Sequence, residues 1–201
     1  WQLALASTAT APDASARLAL KAMTAASRAP AEAKTAFEKP AALQRLRAAL
    51  ATPPVARGNF AELAYGAGSL PGFLTEAGTP AREQLLREWD RTMLRLAADG
   101  TLSRLDRVAA TDARISLARV DTPKGPLPLA LQTEVRAVTH RALRESTDRY
   151  EREALVIASA QVLADSGLID ESDALLTAEL KRSATPYYLM LGLASNARRR
   201  G

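Results

Sequence analysis

The sequence holds no cysteine and one histidine, His140, in 201 residues. Lack of thiols excludes disulfides, thiolate nucleophiles and CxxC redox chemistry from this stretch of chain. One imidazole without a second His, a Cys or a carboxylate cluster beside it has no companions for a metal centre or for general-base work, so His140 reads as a surface or interface residue. Aromatic residues make up only 4%, and a core without them must be assembled from Leu, Val, Ile and Ala, which favours closely packed helices over sheets. No apolar run reaches the roughly 18 residues of a membrane span. Trp1 to Ala11 has no basic stretch ahead of its apolar residues, so the segment shows no export signal of its own.

What is present is alanine, leucine and arginine in helical spacing, broken by proline and glycine. Folding at this length removes roughly 70% of the unfolded chain's surface from water, enough for a core without covalent staples. The 27 basic and 22 acidic residues leave a net charge of +5. Their signs are interspersed, which makes a solvated helical surface laced with i,i+4 pairs rather than one strong field, so the basic pI of 9.9 is a weak pointer to nucleic acid.

The chain divides into an alanine-rich helical segment over 1–54, a Gly/Pro-rich linker region over 55–78 and a helical half over 79–201. Pro12 to Arg28 and Ala31 to Ala51 read as helices that Thr52-Pro53-Pro54 stops. Thr79 caps the next helix with Pro80 at its first position, and Leu85, Leu86, Trp89, Met93, Leu96 and Ala97 share one face. A second helix from about Ser103 carries Leu105, Ala109, Ala113, Leu117 and Val120 as its inward stripe, and the two should lie antiparallel. Leu129 to Glu145 follows with Leu131, Val135, Val138 and Ala142. The run ALVIASAQVLA, Ala154 to Ala164, is apolar nearly all round and belongs at the centre of this half.

One internal echo stands out. Val156, Ala160, Leu163 and Gly167 recur 34 residues later as Met190, Ala194, Ala197 and Gly201, the tetratricopeptide period. Asp170 reads as the cap of the intervening helix and Thr185-Pro186 as the start of the next, whose hairpin partner is expected beyond Gly201. The expected fold is all-α: antiparallel helical hairpins with tetratricopeptide-like packing, about eight to nine helices in all.

Candidate sites are few. The Gly66 to Gly72 run lacks the Lys-Ser/Thr pair and the preceding strand of a phosphate loop. Ser69, Ser159 and Ser195 have no G-x-S-x-G elbow and no histidine to activate them. Glu151 and Glu153, two apart on a helix, face away from each other and cannot act on one substrate. Tyr150, Tyr187 and Tyr188 with Arg144 and Arg152 remain as candidate contacts to a partner, through stacking and charge. Adjacent Tyr187 and Tyr188 must point to different faces, so one is expected to pack inward and the other to stay on the surface. No catalytic residue, metal or cofactor is called for.

The stretches LAADGTLSRLDRVAATDARISLARVDT (Leu96 to Thr122) and STDRYEREALVIASAQVLADSGLIDESDALLTAELKRSATPYYLMLGLASNARRRG (Ser146 to Gly201) resemble the C-terminal helical region of proteobacterial thioredoxin-family proteins. The S-x-x-PYY-x-M-x-x-L-A-x-x-A-x-x-x-G segment carries the likeness most closely. The resemblance implies an exported, periplasmic protein in which a thioredoxin-like domain precedes this part. That domain's CxxC has no counterpart here, and Pro186, Tyr187, Tyr188, Leu193, Ala194 and Gly201 would serve helix entry and packing. The implied function is a non-catalytic scaffold or interaction module for a protein or peptide, including its own upstream domain. The alternative is a basic helical nucleic-acid-binding protein, motivated by Arg136 to Arg152, and salt-dependent affinity distinguishes the two.

Overall fold

The computed structural model describes residues 75–121, 123, 127–183 and 186–201. The segment expected over 1–54, nearly all of the 55–78 linker with its glycine run and Ser69, and Thr185 lie outside the described residues. The described part is all-helical, with six helices and no strand: α1 Pro80–Ala98, α2 Arg104–Ala118, α3 Leu129–Glu145, α4 Arg149–Asp165, α5 Ile169–Leu180 and α6 Tyr187–Arg199. They fall into two compact units, one containing residues up to 95 together with 116–123, the other 96–115 together with 124–201.

In the first unit, Thr79 caps α1 as its sequence demands. Its hydroxyl accepts from the Arg82 amide at 3.3 Å and donates to the Glu76 carbonyl at 2.7 Å, while Pro80 occupies the first turn, where a missing N–H costs nothing. Leu85, Trp89 and Met93 are fully buried. Arg82 is buried too, its two terminal nitrogens held by the Thr75 carbonyl at 3.2 Å and by Asp121 at 2.7 Å.

The second unit holds α2 as far as Ile115 and all of α3 to α6, and its polar contacts fix how the chain turns. Arg107 near the start of α2 reaches Glu145 at the end of α3 at 2.7 Å, and Arg114 pairs with Glu134 near the start of α3. Arg152 near the start of α4 bonds the Leu143 carbonyl late in α3 and pairs with Glu179 at the end of α5. The Ser172 hydroxyl early in α5 donates to the Ala160 carbonyl late in α4 at 2.7 Å. Consecutive helices therefore run antiparallel, and α4 lies among α3, α5 and α6, the central position its apolar sequence predicts. The α4–α5 turn is closed by Gly167 at φ +88°. The Leu168 amide returns to the Leu163 carbonyl and that of Gly167 to Ala164, a helix stop that needs a left-handed residue. Gly201, 34 residues on, also has positive φ, at +103°.

Three details of the expected helices are corrected. The inward stripe of α2 is not Leu105, Ala109 and Val120: Leu105 is exposed and the other two are half-buried. Arg107, Val108, Ala110, Thr111, Ala113, Ile115 and Leu117 are the buried residues. Arg107 is drawn in by its pairing with Glu145, and Thr111 returns its hydroxyl to the Arg107 carbonyl at 3.1 Å. On α3, Thr139 rather than Val138 is buried, its hydroxyl held by the Val135 carbonyl at 2.8 Å. Asp170 does not cap α5. The cap residue is Leu168, and Asp170 and Glu171 sit in the first turn, where their charge complements the helix dipole.

Candidate functional site

Helices α4, α5 and α6 enclose a cleft of about 230 Å³. Its floor is apolar, with Ile157 and Ala160 from α4 and Leu176 from α5, and Tyr188 and Leu191 of α6 form the rim. The cleft exists because α6 approaches α5 at a glycine. A Cβ built on Gly192 would lie 3.0 and 3.3 Å from the two methyls of Leu176, so a larger residue there would push Leu176 out of place. Leu176 in turn packs with Val156, Ala160 and Leu189, all buried.

A polar strap closes one side. The Asn196 amide, buried on α6, donates to the Ser172 hydroxyl and to Asp173 Oδ1, both at 2.8 Å. Arg200 completes the strap with Asp173 at 2.5 Å and Asp170 at 2.6 Å. Burial works against ionisation of Asp173, but the hydrogen bonds from Asn196 and Arg200 outweigh it and hold its carboxyl below the usual range. The same contacts raise the Arg200 guanidinium further above its ordinary value. Beside the mouth, Asp165 accepts from Gln161 at 2.7 Å and from Arg199 at 2.5 Å. Asp165 and Arg199 are themselves 34 residues apart.

The candidate contact residues are dispersed. Tyr188 lines the cleft, 61% exposed, and Tyr187 stands beside it at 68%, their rings edge to face with centroids 5.3 Å apart. The expectation that one of the two packs inward is wrong: Leu189, fully buried, takes the inward position at the start of α6, and both tyrosines stay outside. Tyr150, 85% exposed, lies near the start of α4 and does not line the cleft. Arg144 is on the surface of α3, and Arg152 is engaged by Leu143 and Glu179. His140 is exposed. Glu151 pairs with Arg104 at 2.9 Å while Glu153 accepts from the Ser183 hydroxyl, so the two carboxylates do diverge. Of the serines, Ser159 is fully buried with an unbonded hydroxyl and Ser195 lines the cleft.

Sequence reasoning did not single out Ile157, Gln161, Leu191 or Gly192. The signal was the echo itself: Ile157 and Leu191 are 34 residues apart, as are Gln161 and Ser195, so the two walls present equivalent positions of α4 and α6. The echo also reveals a difference. Val156, Ala160 and Leu163 are buried on α4, whereas Met190, Ala194 and Ala197 are exposed on α6.

Away from the cleft, Asp112 on α2 is driven up to about 6, mainly by burial and further by the negative charge of Asp165. Among the described residues no cluster of three His, Cys, Asp or Glu side chains could hold a metal ion, and no helix is long and apolar enough to cross a membrane. No protein-family model, curated protein or solved structure matches the chain.

Proposed function

We propose that this chain is a non-catalytic α-helical scaffold that holds a protein or peptide partner, built on tetratricopeptide-like repeats and serving a larger, exported thioredoxin-like protein. The observation that carries the interaction role is the cleft between α4 and α6, with a rim of apolar and aromatic side chains left in water: Tyr188, with Tyr187 edge to face against it, and Leu191 at 54% exposure. A contiguous exposed patch of this kind is a mark of contact surfaces.

The repeat reading is supported by three 34-residue correspondences: left-handed glycines at 167 and 201, the Asp165–Arg199 pair, and cleft walls formed by matched positions. It is also supported by Met190, Ala194 and Ala197. On α4 the equivalent Val156 and Ala160 pack on Leu176 of α5, so α6 offers the same face to a helix not seen among the described residues. The thioredoxin-like and periplasmic parts of the proposal rest on the sequence resemblance alone. The nucleic-acid alternative is weakened where the stretch that motivates it is already committed, since Arg136 pairs with Glu171 and Arg152 with Glu179.

A photo-crosslinking amino acid placed at Tyr188 or Leu191, and as a control at Arg87 on α1, tests the interaction role in the producing cell. One defined protein adduct from the α6 positions and none from the control is the expected result. Adducts to nucleic acid, or none that differs from the control, would overturn it. An upstream reading frame without a CxxC-bearing domain would remove the thioredoxin part.

A further inference from the structure

We infer that the α4–α5–α6 cleft is a seat for a single aromatic side chain of an acidic peptide, with the ring on Ile157, Ala160, Leu176 and Leu191 and a carboxylate of the same peptide paired with Arg198. The inference deepens the scaffold reading and rests on it.

Size selects the ring. Ligand sites for whole cofactors or drug-sized molecules run from roughly 300 to 1,000 Å³, whereas a dry cavity of about 150 Å³ holds benzene. At about 230 Å³ the cleft is too small for the first and accommodates a phenyl, phenol or indole group together with its methylene. The lining agrees. Three aliphatic side chains make the floor, and the Tyr188 ring stands at the rim in a position to meet another ring edge-on. Asn196 is already engaged with Ser172 and Asp173, and Gln161 with Asp165, which leaves the Ser195 hydroxyl of the lining without such a bond. An apolar group therefore loses little by entering, and a charged one would meet no opposite charge inside the seat.

Charge selects what flanks the ring. Three arginines end α6, and two are neutralised, Arg199 by Asp165 and Arg200 by Asp170 and Asp173. Arg198 is exposed and has no ion-pair partner among the described residues. It lies one turn past Ser195 on the side of α6 that carries Leu191 and Ser195, and about 9 Å along the axis from Gly192. In an extended peptide, side chains two residues apart share a face and are separated by about 7 Å, so an acidic residue two positions from the ring comes within reach of a guanidinium.

The probes are acetyl-Phe-Ala-Glu-amide and acetyl-Glu-Ala-Phe-amide, which cover both chain directions, each titrated into the full 201-residue chain and followed by amide chemical shifts. The expected result is saturable shifts confined to the cleft residues with at least one of the two. Replacing Phe by Ala should weaken binding at least tenfold, the value of burying one large apolar side chain. Arg198→Glu should weaken it about two- to fivefold, with a matching loss of salt dependence. Ser195→Trp, which fills the mouth, should abolish binding; if that variant does not fold, Tyr188→Ala at the exposed rim should cost severalfold instead. Tyr150→Ala should change nothing.

Equal affinity for the Phe and Ala peptides, shifts outside the cleft, or binding untouched by both cleft variants would overturn the inference. Cleft shifts that grow with protein concentration in the absence of peptide would overturn it by making a second copy the occupant. If the peptides fail while α6 still crosslinks a protein in cells, the seat is refuted and the scaffold reading survives; if both fail, neither stands.

Discussion

Asp112→Asn should stabilise the protein at neutral pH and flatten the pH dependence of its stability. In the folded chain the Asp112 carboxyl titrates at about 6, against an ordinary value of 3.8. The first cause is burial on α2 and the second is the charge of Asp165 at the end of α4. A difference of about two pH units is worth about 3 kcal/mol at 1.36 kcal/mol per unit, and partial exposure of the carboxyl brings the expected effect to roughly 1–3 kcal/mol.

The sign follows from proton counting. Between about pH 4 and 6 the folded state holds a proton on Asp112 that the unfolded state has released, so stability falls as pH rises through this window and then levels off. Glu145 and Asp173 act oppositely and elsewhere. The Arg107 hydrogen bond holds Glu145 below the usual range, and Asn196 and Arg200 do so for Asp173 against its burial. What these two contribute is present above their unfolded values and is lost as pH falls through their folded ones. The wild type should therefore be most stable near pH 4 to 5. Urea unfolding followed by helical circular dichroism, at intervals from about pH 4 to 8, measures the curve. Asp112→Asn should match the wild type near pH 4 and exceed it above pH 6. Stability of the wild type that rises from pH 5 to 7, or parallel curves for the two proteins, would refute the reasoning.

Ser159→Ala should raise stability by about 1 kcal/mol, because it removes a fully buried hydroxyl with no hydrogen-bond partner and replaces it with the best helix former; a lower urea midpoint would count against it. In the polar strap, Asn196→Ala should cost about 2 kcal/mol. A double-mutant cycle with Ser172→Ala, whose hydroxyl Asn196 contacts, should show a coupling above about 0.5 kcal/mol, and simple additivity would deny the strap. At the close approach of α6 to α5, Gly192→Ala gains about 1 kcal/mol of helix propensity and crowds the Leu176 methyls by a few tenths of an ångström. Its thermal midpoint should stay near wild type, whereas Gly192→Leu should lose about 1–3 kcal/mol by overpacking; equal stability of the two would show that the contact is not tight.

The all-helical character and the placement of α1 were legible because they rest on local chemistry. A Thr-Pro start needs no tertiary information, and Leu85, Trp89 and Met93 stand out among charged neighbours. The face of α2 was less legible for a physical reason. Its sequence, RLDRVAATDARISLA, has small apolar residues all round, so a stripe counted on alanines has low contrast. Burial of Arg107 and Thr111 depends on a carboxylate supplied by α3 and on a side chain folded back to its own backbone, neither of which hydropathy records. Thr139 on α3 repeats the second case. The tyrosines failed differently: adjacency on a helix separates two residues by about 100°, yet that turn does not decide which neighbour is inward, and Leu189 held the buried position.

The cleft marks the boundary between what a period can reveal and what only packing supplies. A 34-residue recurrence identifies which positions of α4 and α6 are equivalent, and so pairs Ile157 with Leu191 and Gln161 with Ser195 before any coordinates are known. It says nothing of depth. Depth comes from Gly192, where the missing side chain lets α6 close on Leu176, and from Asn196, whose bonds to Ser172 and Asp173 keep α6 from sliding along α5. Both are individual residues without an echo on α4, where positions 158 and 162 are Ala and Val. Because Gly192 and Asn196 break the repeat, a neighbouring pair of helices built on the plain α4 pattern would leave no comparable hollow. Recognition by this chain is thus expected to concentrate at one seat rather than spread along a groove, and transplanting Gly192 and Asn196 onto positions 158 and 162 should not create a second one without a following helix shaped to match.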